Sequence, residues 1–259
     1  MASTPWLYLH NAHGHALSGQ VTAPFSDTIE AQAATSLPHT GGHGSASANN
    51  FSYKNMISFK AARTHTVGGV DSNKNYTSMI SVCVEGFNIL DVITADRIVA
   101  RMATSHKPDE PEASITIAGT HFDNLRIAGS AVAVSLDNQI LPRIDTFQAL
   151  MNQLAKDPNF KNIALNPFGT TAMPEPGLHG AIVWSCIQRP LPTIAGATAT
   201  NHWYDIPEFG RVYLCELTCE YRKRRLTMLR IEMGSPITGN AIALDLQGNG
   251  TPIPPPPPH

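Results

Sequence analysis

Alternating apolar and polar positions dominate the chain and predict β-strands. In residues 76–84, isoleucine and valine recur at every second position from Ile80 onwards. The same period covers residues 92–104 and 211–221, and glycine, proline and asparagine separate the alternating stretches. We therefore predict an all-β protein, built as an antiparallel β-sandwich or β-roll. A β-solenoid is the alternative architecture.

One segment has helical periodicity instead. Apolar residues recur at three- and four-residue spacing from Phe147 to Leu154, which places them on one helical face. Asp145 and Gln148 have the spacing of a capping box, and Pro158 is expected to end the helix. The sequence thus predicts one short helix inserted among strands.

The domain organisation follows from these elements. We predict a single β-rich domain over residues 1–250, with a helical insert at about residues 143–177. Residues 251–259 are predicted to form an extended, solvated polyproline tail. No apolar run approaches the roughly 20 residues of a spanning helix, so no transmembrane segment is expected.

Composition adds a restriction on the class of protein. Only 15% of the residues are charged and the net charge is −2, whereas about 25% charged residues is usual. These values exclude a basic nucleic-acid-binding protein as the expected class. Low charge also weakens repulsion between copies, and strand edges can extend a neighbour's sheet, so we expect a homo-oligomer.

Several short motifs follow one another in the order found in a known family. The most specific is in residues 88–100, around Thr94-Ala95-Asp96. The other segments are residues 14–19, 35–38 with 41–42, 122–129, 206–217 and 226–233. Together they resemble the bacterial choice-of-anchor P family of β-rich surface proteins.

The resemblance implies an extracellular or cell-surface structural protein, and it carries over no catalytic residue. The N-terminus has neither the basic nor the apolar segment of a signal peptide. A cytoplasmic location therefore remains the alternative, beside a processed chain or export without a cleaved signal.

Two segments are candidates for binding. His202, Trp203 and Tyr204 place aromatic rings on a predicted loop, where they would stack on a glycan or complete the protein's own core. Four consecutive basic residues form the predicted tip of a hairpin. They would bind an acidic partner, a glycan or a neighbouring subunit, or remain a solvated turn. These residues are Arg222, Lys223, Arg224 and Arg225.

Histidines near the N-terminus are candidates for metal binding. His13 and His15 are two apart and share one side of a strand, and His10 would join them if the chain turned at Asn11. Imidazoles at this spacing can ligate Zn²⁺ or Cu²⁺. The alternative is histidines that only make hydrogen bonds, and no other cofactor is predicted.

The sequence contains no catalytic motif for a serine hydrolase, a zinc protease or a P-loop enzyme. We therefore expect a non-catalytic structural or assembly protein, such as a subunit of a sheath, layer or filament. A glycan-binding module is one alternative. A metal-binding protein or metal-dependent enzyme that uses the histidine cluster is the other.

The four cysteines leave their redox state open. Cys215 and Cys219 share one face of a predicted strand but lie about 13 Å apart, too far to pair with each other. Buried free thiols are one interpretation. A disulfide between Cys186 and either Cys215 or Cys219 is the other.

Overall fold

A computed structural model describes residues 7–137, 141–165, 182–220 and 222–253. Two antiparallel sheets lie face to face, which confirms the predicted all-β sandwich rather than a solenoid. Strands are numbered along the chain through both sheets.

The larger sheet combines the N-terminal and C-terminal parts of the described chain. Its strands are β1 (Leu7–Ala23), β2 (Asp27–Gln32), β3 (Thr35–Ser36), β12 (Ile182–Ser185), β13 (Thr198–Thr200), β14 (Trp203–Ile206), β15 (Gly210–Glu220), β16 (Lys223–Met233) and β17 (Thr238–Ile253). The order is β13-β14-β15-β16-β17-β1-β2, with β12 beside β15 and β3 beside β1.

The smaller sheet is built from the middle of the chain. Its strands are β4 (Gly42–Tyr53), β5 (Ile57–Val70), β6 (Tyr76–Ile89), β7 (Ile93–His106), β8 (Ser114–Thr116), β9 (His121–Asp123), β10 (Arg126–Ile127) and β11 (Ser130–Ala131). The order is β11-β10-β7-β6-β5-β4, and β8 and β9 also pair with β7.

The core lies between the long strands of the two sheets. β1, β16 and β17 pack across β5, β6 and β7. Ile80, Val82 and Val84, which the period-2 pattern places on one face, are fully buried there. A Cβ atom at Gly14 would lie only 3.1 Å from Ile80 and 3.2 Å from Val82, so the sheets approach closely at this point.

A row of unpaired residues, which we call the irregular row, crosses four strands of the larger sheet and changes which side chains face the core. Ala16, Leu244, Met228 and Cys215 oppose one another on four adjacent strands, and the ladder skips each of them. Cys215 and Leu244 have φ angles of 52° and 49°. Each of the four strands contains one extra, unpaired residue at this row. The alternation of side chains is therefore shifted by one position beyond it, so that residues of the other parity face the core.

The helical insert contains two helices rather than the one predicted. They are α1 (Phe147–Lys156) and α2 (Pro158–Leu165), preceded by a 3₁₀ turn at Leu141–Arg143. The first helix ends at Lys156, just before Pro158, as predicted, and Pro158 then begins the second helix, because proline is well tolerated in the first turn of a helix. Residues 166–177 of the predicted insert lie outside the described part.

The cap of α1 also differs from the prediction. Thr146, not Asp145, is the N-cap, and its hydroxyl accepts a hydrogen bond from the backbone N–H of Ala149 at 3.1 Å. Glu112, from the loop between β7 and β8, accepts the N–H groups of Phe147 and Gln148, both at 2.9 Å. A carboxylate remote in sequence therefore holds the start of this helix.

The first three residues of the predicted C-terminal tail, 251–253, belong to a strand. Strand β17 continues to Ile253 and pairs with the start of β1, for example Thr251 with Leu9. The remaining residues, 254–259, lie outside the described part. No helix among the described residues is long and apolar enough to cross a membrane.

Candidate functional site

A cluster of charged and aromatic side chains covers the outer face of β14, β15 and β16. At its centre Glu216, which is only 5% exposed, accepts two hydrogen bonds from Arg230 at 2.7 and 2.9 Å. His202 Nε2 lies 3.0 Å from the same carboxylate. The guanidinium of Arg230 lies 3.4 Å from the centre of the Tyr213 ring. We call Glu216, Arg230, His202 and Tyr213 the outer cluster.

Burial and the contacts among its members shift the pKa values of the outer cluster. Burial alone would raise the pKa of Glu216, but the hydrogen bonds from Arg230 and His202 and the charge of Arg230 lower it below its ordinary value. Burial lowers the pKa of His202, and Glu216 only partly opposes this. The cluster therefore holds an ionised carboxylate, a guanidinium and a neutral imidazole that donates through Nε2.

The irregular row explains why the outer cluster exists. Uninterrupted alternation would put Tyr213 on the same face as Cys215 and Leu217, as the sequence pattern predicts. The extra residue at Cys215 instead brings Tyr213 to the face of Glu216. The sequence prediction for this strand was therefore wrong at Tyr213, and the outer cluster was missed.

The predicted stacking residues lie inside the protein. Tyr204 is fully buried, and its hydroxyl donates to the carbonyl of Pro192 at 2.7 Å. Trp203 is 9% exposed, and its indole N–H donates to Asp205 at 3.0 Å. His202 is 1% exposed and belongs to the outer cluster. These positions favour the alternative in which the three rings complete the protein's own packing.

The four basic residues do not form one positive patch. Arg225 Nε lies 2.7 Å from Asp245, and Arg222 Nε donates to the carbonyl of Pro111 at 3.0 Å. Lys223 Nζ lies 3.6 Å from a carboxylate oxygen of Glu220.

The fourth basic residue, Arg224, is 2% exposed and points toward the helical insert. Its Nη2 lies 3.4 Å from Glu112, the carboxylate that caps α1. Strand β16 begins at Lys223, so three of the four basic residues lie within a strand and not in the predicted turn. Lys223 and Arg225 pair with carboxylates of the same sheet. Arg222 and Arg224 instead reach the loop before β8.

The structure separates the three histidines proposed as metal ligands. Strand β1 runs without a turn through all of them, so His10 points into the core while His13 and His15 lie on the outer face. His15 Nε2 lies 2.7 Å from the Ser18 hydroxyl, and its Nδ1 lies 4.0 Å from Asp245. Among the described residues, no group of three or more side chains is arranged to hold a metal ion.

The smaller sheet ends in an unprotected edge. Strand β4 pairs with β5 on one side, and no described strand pairs with its other side. It contains no Lys, Arg, Asp, Glu or Pro, which are the residues that natural edge strands use to block further pairing. Its exposed side chains are polar and uncharged at neutral pH, and they include His43, Ser45, Ser47 and Asn49.

An apolar groove of about 480 Å³ begins beside this edge. It crosses the outer face of β5, β6, β7 and β8. Its walls include Val67, Val70 and Met79, which are the large apolar side chains that the described part leaves exposed. Val67 pairs directly with His43 of β4, so the groove and the edge are continuous. We call the β4 edge and this groove together the edge surface.

A family described as a domain of unknown function (DUF8256) matches residues 8–173. The chain belongs to this family. The match covers more than half of the chain, including every strand of the smaller sheet and the first three strands of the larger one. No curated protein and no solved structure matches the chain.

The outer cluster lies beyond the region that the family covers, since its four residues follow residue 173, whereas the edge surface lies within it. The carboxylate of Glu216 is already bonded to Arg230 and His202 and is nearly inaccessible. The outer cluster is therefore suited to holding strands together. The edge surface offers unpaired backbone and apolar contact to another molecule.

Proposed function

We propose that this protein is a non-catalytic structural protein that self-associates through the edge surface. The single observation that carries the proposal is β4, an uncharged strand that pairs with β5 on one side and with no described strand on the other. A row of unpaired backbone N–H and C=O groups is a template for another strand.

The second copy of this chain is the partner that β4 fits best. Two β4 strands placed antiparallel about a two-fold axis would offer the same groups to each other, as an isologous contact requires. No formal charge on either strand would oppose their approach. The adjoining groove, with Val67, Val70 and Met79, adds apolar surface to the contact.

A location at the bacterial cell surface is the setting we propose for this assembly. Support comes from the motif resemblance to the choice-of-anchor P family, above all the segment around Thr94-Ala95-Asp96. That segment belongs to β7, in the centre of the sheet that carries the edge surface. A subunit of a sheath, layer or filament would use this contact together with a second interface, because a two-fold contact by itself closes at the dimer.

The proposal predicts oligomers that depend on β4. Purified protein at tens of micromolar should sediment as a dimer or larger species and show ordered assemblies in electron micrographs. Ser45→Lys puts a cation on the edge strand and should shift the protein to monomers, because lysine on an edge opposes strand addition.

The matched control is His65→Lys, which adds the same charge on the same face of the sheet. His65 is exposed and lies directly opposite Ser45, but on β5, one strand inside the edge. The control should still assemble. A wild-type protein that sediments only as a monomer would refute self-association, and equal dissociation of both variants would refute the edge as its site.

A further inference from the structure

Three of the four cysteines gather where β12 joins β15. Cys186, Cys215 and Cys219 are completely buried, and all four cysteines are unbridged. Cys83 lies in the other sheet, on β6, and is partly exposed. An intramolecular disulfide would therefore form among the three buried cysteines, and the distances between them determine which two can pair.

The strand register places Cys186 beside Cys215. Ser185 pairs with Glu216 at the end of the β12–β15 ladder, and Cys186 and Cys215 are the next residues on the two chain segments. The backbone N–H of Cys186 donates to the carbonyl of Cys215 at 2.9 Å. Hydrogen-bonded residues opposite each other in such a ladder have Cα atoms about 5.5 Å apart, within the 4.4–6.8 Å range of disulfides.

The same register excludes Cys219. It lies opposite Ile182, four residues from Cys215 along β15, and therefore about 13 Å farther along an extended strand. Cys83 pairs with Arg63 and Val99 inside the smaller sheet, and its surroundings include Glu85 and Arg97. Of the alternatives that the sequence leaves open, only Cys186 with Cys215 meets the distance requirement.

In the folded protein the Cys215 thiol interacts with the Cys186 thiol and affects its pKa. The neighbouring Cys215 thiol and burial both raise the pKa of Cys186 well above its ordinary value. A buried thiol with a raised pKa reacts slowly, because the thiolate is the reactive form. Oxidation is therefore expected while the chain folds and both thiols are accessible.

We propose that Cys186 and Cys215 form an intramolecular disulfide when the chain folds in the presence of a disulfide oxidant. The two thiols lose two protons and two electrons, and one S–S bond forms between them. One molecule of oxidised glutathione accepts the electrons and protons, its own S–S bond breaks, and two molecules of reduced glutathione leave. The bridge joins the segment that returns from the helical insert to the centre of the larger sheet.

The experiment refolds the full chain from urea in a mixture of oxidised and reduced glutathione. Free thiols are then alkylated with N-ethylmaleimide in denaturant, and the intact mass and the unreduced peptides are measured. Two of the four cysteines should escape alkylation. The unreduced digest should contain one crosslinked pair, with Cys186 joined to Cys215.

Two variants test the choice of partner. Cys219→Ser should retain the bridge, whereas Cys215→Ser should leave all of its remaining cysteines alkylated. Four alkylated cysteines in the wild-type chain, or a crosslink that contains Cys219 or Cys83, would overturn the proposal. The wild-type measurement decides this even if a variant fails to fold, and it is independent of self-association.

Discussion

At the scale of single residues, buried charges decide how the outer face of the larger sheet is held. Glu216 is 5% exposed, and Arg230 is its bidentate partner. A buried carboxylate is tolerated only where its lost hydration is replaced by such bonds. Removing its charge therefore leaves Arg230 with the half-exposed Glu232 as its remaining anionic partner.

We expect Glu216→Gln to lower the free energy of unfolding by about 3 kcal/mol, the usual cost of breaking a buried ion pair from one side. Urea unfolding followed by tryptophan fluorescence measures this change. The matched control is Glu232→Gln, because Glu232 contacts the same Arg230 but its side chain is 50% exposed.

An exposed ion pair contributes at most about 1 kcal/mol, so the control should change the midpoint only slightly. Equal effects of the two variants would contradict the central role that we assign to Glu216.

At the scale of elements, Glu112 connects the helical insert to the sandwich. Its carboxylate accepts two backbone N–H groups at the start of α1 and faces Arg224 on β16. Negative charge at a helix N-terminus is stabilising because it interacts favourably with the helix dipole. One side chain thus orders the helix and anchors it to a strand that lies 112 residues away.

Glu112→Ala should loosen α1 and leave the buried Arg224 without its anion. We expect amide hydrogen exchange in α1 to accelerate by at least tenfold, which corresponds to roughly 1.4 kcal/mol of local stability. Glu110→Ala is the control, since Glu110 lies in the same loop but forms an exposed pair with Lys107. Unchanged exchange in α1 of Glu112→Ala would contradict the anchoring role.

At the scale of the whole molecule, buried histidines make stability depend on pH. Burial lowers the pKa of His10, His13, His15, His106 and His202 below the ordinary value of 6.5. The unfolded chain takes up protons at these rings near pH 6.5, whereas the folded protein takes them up only at lower pH. Unfolding below pH 6.5 therefore binds protons, so acid favours the unfolded state.

We expect the free energy of unfolding to be constant from pH 8 to pH 7 and to fall steadily as the pH drops below about 6.5. Urea titrations at constant ionic strength measure this dependence. His106→Phe should reduce the dependence of the free energy of unfolding on pH, because His106 is 1% exposed and the variant removes one group whose pKa burial lowers. The control His65→Gln, at an exposed position, should keep it. Stability independent of pH between 7 and 5.5 would contradict the burial argument.

Local patterns made the strands predictable and left the contacts between them undetermined. The alternation in β6 and β7 identified the core face correctly, because side chains of an extended strand point to alternate sides. The same rule failed for Tyr213, because the irregular row at Cys215 depends on four strands together. The sequence pattern around the helix also did not identify Glu112 as a cap, because the backbone groups that it accepts are 35 and 36 residues away.

The sequence by itself determined that this protein is all-β with a short helical insert, because periodicity and turn residues act over a few neighbours, whereas the choice of a sandwich over a solenoid came from the structure. Only the tertiary structure decided that His10 lies on the opposite face from His13 and His15, that Trp203 and Tyr204 are buried, and that Cys186 is hydrogen-bonded to Cys215. It also left β4 as an open edge. These outcomes depend on strand order and register, which residues far apart in the chain establish jointly.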